Sequence, residues 1–241
     1  MATTRKKILV QRYVEGMEKP ELQEFELEAT AEMTVLDALN AIKDTQDGSL
    51  TFRWSCRMAL CGSCSAVVNG KPVLMCETSL KKLPDTVRVE PLRNFPIIKD
   101  LVVDIDDAFE KMRSVNPYLD RMEARVENKH LQSPAQRKRI AQSSQCIKCM
   151  ICYSACPVYK VGENFMGPAA GALAYRYIAE SRNKKKRRQL NAATGKKGVW
   201  GCSFVGECST ACPKRVDPAM ALQRLKVMGA LNLPKRLLDK E

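Results

Sequence analysis

The chain has 241 residues, 45% hydrophobic and 28% charged, which is enough apolar content for one or two ordinary cores and excludes a disordered chain. No run approaches the roughly eighteen consecutive apolar residues of a membrane span, and the start, Met1 to Val10 followed by Gln11 and Arg12, does not read as a secretory signal. The net charge of +13 is unevenly placed: residues 1–105 carry 14 Lys and Arg against 15 Asp and Glu, and residues 106–241 carry 26 against 12, so the second half points to an anionic neighbour such as nucleic acid, lipid headgroups or anionic clusters.

Ile8 to Val14 and Phe25 to Ala29 read as two strands joined by the turn-rich segment Gly16 to Pro20. Thr34 then caps an apolar-periodic helix carrying Val35, Leu36, Ala38, Leu39 and Ile42. Next come Cys56, Cys61 and Cys64 in a loop with the plant-type two-iron spacing Cys-x4-Cys-x2-Cys. Ser65 to Val68 and Val73 to Cys76 flank Asn69-Gly70, a strong hairpin signal, and would bring Cys76 back on the second strand to close the site. Gly62 gives the backbone room to approach sulfur and to turn amides inward. Thr86 to Glu90 supplies one more strand, and a boundary is expected between Pro91 and Lys99. The expectation is an α+β chain: a sheet domain over residues 1–105, then a helical domain over residues 106–241.

The helical half opens, after a polar linker holding a solvated His130, with Ser133-Pro134-Ala135-Gln136, a capping box with proline at the first helical position. That helix runs into Cys146-x2-Cys149-x2-Cys152-x3-Cys156-Pro157, the bacterial ferredoxin spacing. Gly167-Pro168 opens a second helix through Tyr177 and Asp217-Pro218 a third. Between them lies Cys202-x5-Cys208-x3-Cys212-Pro213, the same ferredoxin spacing with Val205 in the place of its second cysteine. Ligands cross between the two runs of such ferredoxins. One site therefore takes Cys146, Cys149, Cys152 and Cys212, which favours a [4Fe–4S] cluster. The other takes Cys156, Cys202 and Cys208, one thiolate short, which favours a [3Fe–4S] cluster.

These runs use all eleven cysteines. Disulfides suit short secreted chains, and zinc sites favour paired cysteines with histidine, whereas this chain has one histidine and runs of three or four cysteines. The basic run Lys184 to Arg188 reads as a solvated helix face, since no interleaved aromatics offer base-stacking platforms, and no nucleic-acid partner is expected. Trp54 and Trp200, next to ligands in sequence, read as packing that excludes water.

From Arg53-Trp54-Ser55-Cys56-Arg57-Met58 through Asn94-Phe95-Pro96 to the two Cys-Pro runs, the sequence resembles the iron–sulfur subunit of the succinate dehydrogenase and fumarate reductase family. Phe165-x-Gly167-Pro168-Ala169-Ala170, Arg176-Tyr177, Ser181-Arg182 and Val199-Trp200-x-Cys202-x-Phe204-Val205-Gly206 look more like the fumarate reductase branch. The resemblance implies a β-grasp [2Fe–2S] ferredoxin domain followed by an all-α ferredoxin-like domain. It implies an electron-transfer subunit of an oxidoreductase, working between a flavoprotein partner that holds FAD and the dicarboxylate site and a membrane anchor that helps bind quinone. On that reading the chain sits peripherally at the cytoplasmic face of the inner membrane. Lys226 matches a family lysine near the quinone, and Pro157 and Lys160 fall on the same side. Lys160 and Val161 stand where many succinate dehydrogenases have a tryptophan pair, which leans towards menaquinone. The alternative is the iron–sulfur subunit of another flavoprotein reductase, such as a soluble thiol-dependent fumarate reductase.

Overall fold

The computed structural model describes residues 3–119, 131–161 and 165–238, with side chains to residue 232; His130 lies outside the described residues. The chain forms two compact units, Met1–Ile105 with Ile147–Ala155, and Asp106–Cys146 with Cys156–Glu241.

In the first unit, β1 (Thr3–Arg12) and β2 (Glu21–Thr30) pair antiparallel in the register Ile8 to Phe25. The exposed outer strand β2 is studded with glutamates, which keeps the sheet edge from pairing with other chains. Helix α1 (Val35–Thr45) starts at a capping box, with the Thr34 hydroxyl accepting from the Asp37 amide and the Asp37 carboxylate accepting from the Thr34 amide. Its apolar face, Val35, Leu36, Ala38, Leu39 and Ile42, is buried, at about 1.5–3 kcal/mol for each large side chain. Strands β3 (Ser65–Val68), β4 (Lys71–Leu74) and β5 (Thr86–Glu90) complete a sheet of order β2-β1-β5-β3-β4, in which β1 and β5 run parallel. A short hairpin of β6 (Ile97–Lys99) and β7 (Val102–Val103) follows. There Asp100, only 1% exposed, accepts from Arg12 Nε at 2.9 Å and from the amides of Tyr13 and Thr51.

Segment 147–155, which the sequence reading assigns to the second domain, groups instead with this unit, and its last five residues form α4 (Ile151–Ala155). The physical reason is a set of bonds remote in sequence. The Arg93 amide donates to Ser154 Oγ at 2.8 Å, Asn94 Nδ2 donates to the Tyr153 carbonyl at 2.8 Å, and the Phe95 and Tyr153 rings meet at 6.2 Å. Met150, Ile151 and Tyr153 are buried.

The second unit is helical: α2 (Asp106–Ser114), α3 (Pro134–Ala141), α5 (Pro168–Ala179), α6 (Lys186–Ala193), α7 (Glu207–Thr210) and α8 (Pro218–Leu238). Ser133 and Gln136 form the expected capping box of α3, which ends at Ala141 and hands over to a 3-10 turn before Cys146. Helix α8 is capped by Asp217, whose carboxylate accepts from the Met220 amide and the Ser209 hydroxyl. It packs tightly on α5 at Gly171, where a Cβ would fall 2.4 Å from Leu222 Cδ2. At the end of α5, the buried Glu180 accepts from Arg182 Nε and Nη2, both at 2.9 Å, and from Gln132 Nε2 at 2.7 Å. The Arg182 guanidinium holds the Glu180 carboxyl below its usual range, against the opposing effect of burial. The run Lys184 to Arg188 leads into and begins α6, with Lys184, Arg187 and Arg188 exposed.

Candidate metal centres

All eleven cysteines are free of disulfides. Among the described residues no three His, Cys, Asp or Glu gather around a point where one metal ion would sit. Each thiol group is better described by what its loop does.

The loop before β3 folds back on itself through three residues of positive φ, Arg57 at 55°, Ala59 at 57° and Gly62 at 77°. Left-handed conformations at arginine and alanine are uncommon and mark a constrained loop. The fold-back aims backbone amides at sulfur: Met58, Leu60 and Cys61 donate to Cys56 Sγ at 3.3–3.4 Å, Ala59 donates to Cys76 Sγ at 3.3 Å, and Ser63 donates to Cys61 Sγ at 3.5 Å. Such donors stabilise negative sulfur. The Ser63 hydroxyl and nearby amides bring the Cys61 thiol down to about 6. Burial pushes Cys64 up to about 12, so an isolated thiolate there is disfavoured without a cation.

Cys76 does not sit on a strand as the sequence suggests. The ladder pairs Ser65 with Leu74, the Met75 amide still donates to the Cys64 carbonyl at 3.0 Å, and the chain then turns, with the Glu77 amide donating to the Leu74 carbonyl. Cys64 and Cys76 thus flank the open end of the same hairpin. In this unit Gly62 also lies against Cys149, whose Cβ would be 2.7 Å from a Cβ on Gly62. Cys149 and Cys152 belong to segment 147–155, while Cys146 and Cys156 belong to the helical unit.

Within the helical unit, Cys146 and Cys212 pack with Tyr175 against Ala172, Val216 and Ala221. A separate recess is lined by Cys156, Pro157, Cys202, Val205, Cys208 and Leu222, among others. Cys202 Sγ accepts from the Phe204 amide at 3.4 Å and from Gln223 Nε2 at 3.8 Å. Positive φ at Phe204 (61°) and Gly206 (90°) bends the loop that carries Val205, which is 58% exposed while lining the recess. Burial raises the thiols of Cys156 and Cys208, the latter to about 11 with help from neighbouring Cys156, while the Val158 and Tyr159 amides partly offset it at Cys156. Lys226 Nζ, on α8, donates to the Cys202 carbonyl at 2.6 Å. Lys160 is exposed, and Pro157 is exposed at the rim.

Both tryptophans stand partly exposed on the chain by itself. Trp54 is 42% exposed with the Arg57 guanidinium 4.3 Å from its ring, and Trp200 is 43% exposed, its Nε1 donating to the Thr194 carbonyl at 2.9 Å. Sequence reasoning also missed Tyr159, buried three residues after Cys156. Its hydroxyl donates to the Asp107 carboxylate at 2.6 Å, and no motif announces the pair.

Comparison with known proteins bears on both units. Residues 7–110 match the family described as a 2Fe-2S iron-sulfur cluster binding domain, and residues 142–216 match the 4Fe-4S dicluster domain. The chain is 50% identical over 233 residues to the fumarate reductase iron-sulfur subunit of Mycobacterium tuberculosis, covering 95% of this chain and 94% of that protein. It is 38% identical over 211 residues to the succinate dehydrogenase iron-sulfur subunit of Coxiella burnetii, covering 86% and 89%. A chain of the Mycobacterium smegmatis Sdh1 complex in the apo form superposes with a TM-score of 0.87 at 28% identity, over 95% of this chain and 97% of that one.

Proposed function

The chain belongs to the iron–sulfur subunits of the succinate dehydrogenase and fumarate reductase family, an electron-transfer component of an oxidoreductase, and from that premise we propose how its residues divide the task. Cys56, Cys61, Cys64 and Cys76 hold a [2Fe–2S] cluster. Cys146, Cys149, Cys152 and Cys212 hold a [4Fe–4S] cluster, and Cys156, Cys202 and Cys208 hold a [3Fe–4S] cluster. Bound in these places, the clusters supply one-electron steps between a flavoprotein carrying FAD and a quinone, menaquinone in preference, at a membrane anchor. No helix among the described residues is long and apolar enough to cross a membrane. In this reading the anchor is a partner's, and the chain sits peripherally on the cytoplasmic face.

The observation that carries the three-iron assignment is the recess that gathers Cys156, Cys202 and Cys208, with Val205 lining it at the second cysteine's place in the spacing. The protein's own part in the chemistry is to hold sulfur negative and to tune it. Amides directed at Cys56, Cys76 and Cys202 favour the thiolate and stabilise the more negative redox state, and burial around Cys64, Cys156 and Cys208 opposes charge. Two loops of one chain thereby give their clusters different surroundings and a direction for the electron. Lys226, tied to the Cys202 carbonyl beside the recess, is placed in this reading to carry positive charge towards quinone, with Pro157 and Lys160 on the same side.

Cys76→Ser in the assembled complex tests the scheme. It is expected to perturb the two-iron paramagnetic signal and slow succinate–quinone turnover while flavin loading stays intact. Loss of flavin with an unchanged two-iron signal would overturn the assignment. The soluble thiol-dependent alternative is not favoured, since the relatives are fumarate reductase and succinate dehydrogenase subunits matched over most of their length.

A further inference from the structure

We propose that an open cleft formed by α3, α5 and α8 binds the phosphate of an anionic phospholipid headgroup. The cleft, of about 540 Å³, is lined by Ala135, Lys138, Arg139, Gln142, Tyr175 and Arg224. Positions 135, 138 and 139 follow the i, i+3, i+4 spacing, so one face of α3 supplies two cations, and Gln142, the residue that ends the helix, extends that face while its Nε2 donates to the Arg215 carbonyl at 3.1 Å. Helix α8 supplies the third cation.

No carboxylate is among the lining residues, and none of Lys138, Arg139 and Arg224 forms an ion pair among the described residues. Three like charges facing one cavity repel each other and gain from an anion between them. Arg224 is already positioned. Its Nη1 donates to Tyr175 Oη at 2.9 Å and its guanidinium lies 5.2 Å from that ring, which spends one of five N–H donors and leaves a planar fork suited to phosphate oxygens.

The same face of α8 distinguishes a lipid from a free phosphate. Met220, Arg224, Val227 and Leu231 follow a 4-3-4 spacing that stacks them along one side of the helix, and the three apolar members are 40%, 60% and 74% exposed. A free phosphate would use the cations alone. An acyl-bearing ligand would also cover the apolar ridge that continues on either side of Arg224, and a cationic cleft beside exposed aliphatic side chains is how interfacial helices hold anionic bilayers.

The test is co-sedimentation of the full chain, its clusters reconstituted without air, with phosphatidylcholine vesicles with and without phosphatidylglycerol. Wild type should bind the phosphatidylglycerol vesicles selectively. The triple variant Lys138→Gln/Arg139→Gln/Arg224→Gln should bind them about a hundredfold more weakly, on the basis of roughly fivefold per cation near an anionic surface. The control Lys184→Gln/Lys186→Gln/Arg187→Gln removes the same charge elsewhere and should stay within about threefold of wild type. Equal loss in the control, or no loss in the cleft variant, overturns the proposal. Release of wild type by millimolar inorganic phosphate at constant ionic strength would make this a free-phosphate site and overturn the lipid assignment. Val227→Ser/Leu231→Ser should weaken vesicle binding; unchanged binding would assign the ridge to a protein partner instead. Unaltered cluster signals in each variant keep a folding defect from passing as lost binding.

Discussion

Gly62 and Cys149 approach so closely that a methyl group on Gly62 would stand 2.7 Å from Cys149 Cβ and 2.9 Å from its Cα. The loop proposed to wrap the first cluster and a proposed ligand of the second are therefore in direct backbone contact within one unit. Gly62 also has φ 77°, a region that a side chain disfavours. Gly62→Ala is expected to cost about 1–3 kcal/mol from overpacking alone and to displace Cys149. Iron content and paramagnetic spectra should show damage to both the two-iron and four-iron signals; damage confined to the two-iron signal would show that the contact is not transmitted.

Val205→Cys offers a thiol on the exposed loop that lines the recess of Cys156, Cys202 and Cys208. Loss of some or all of the oxidised three-iron signal is expected, with gain of a second four-iron centre and slower electron transfer to quinone, because cluster type and net charge both set the potential. Wild type prepared without air should retain three-iron stoichiometry, and an intact four-iron cluster there would end the argument from spacing.

Lys226→Ala should depress quinone-dependent turnover strongly while sparing succinate oxidation by an artificial acceptor. Its bond to the Cys202 carbonyl predicts a second effect, a modest change in the three-iron signal. If both activities fall together, the lysine acts through folding of the Cys202 loop.

Gly171→Ala would drive a methyl into Leu222, whose side chain fills the space between α5 and α8 and lines the same recess. A stability loss of about 1–3 kcal/mol is expected. The two-iron signal should survive at denaturant concentrations where the three-iron signal has gone; simultaneous loss would indicate that the two units unfold together.

Glu180 contributes to the acid dependence of the helical unit. Its folded pKa is depressed by Arg182, so its contribution is present above the unfolded value of about 4.3 and is lost as pH falls through the lower folded value. Glu180→Gln is expected to lower stability by about 1.5–3 kcal/mol at neutral pH, the range for hydrogen bonds to a charged group. The gap to wild type should close as pH falls below about 4.3 in unfolding followed by circular dichroism. A gap that stays constant with pH would place the effect in packing.

The parts legible in sequence were those whose causes are local. The capping boxes at Thr34 and Ser133, the Asn69-Gly70 turn and the cysteine spacings each depend on residues a few positions apart, and the structure shows both capping boxes and the hairpin at those places. The grouping of segment 147–155 with the sheet unit was not legible, because its bonds to Arg93 and Asn94 span about sixty residues and leave no periodic trace. Cys76 was put on a strand because Val73 to Cys76 has β composition, whereas the ladder stops at Leu74 so that sulfur can turn back towards the Ala59 amide. Positive φ at Arg57, Ala59 and Phe204 was equally hidden, since those residue types carry no turn signal.

The docking of segment 147–155 beside Arg93, Asn94 and Phe95 also bears on modularity. A chain cut after residue 105 would keep every strand of the five-stranded sheet and still be an incomplete module. The Arg93 amide and Asn94 side chain would face water where Ser154 and Tyr153 stood, and the apolar surface that now receives Met150, Ile151 and Tyr153 would become adhesive. Grafting the two-iron portion onto another protein, or expressing it alone as a miniature ferredoxin, would thus require transplanting a nine-residue strip that genetics places more than forty codons downstream.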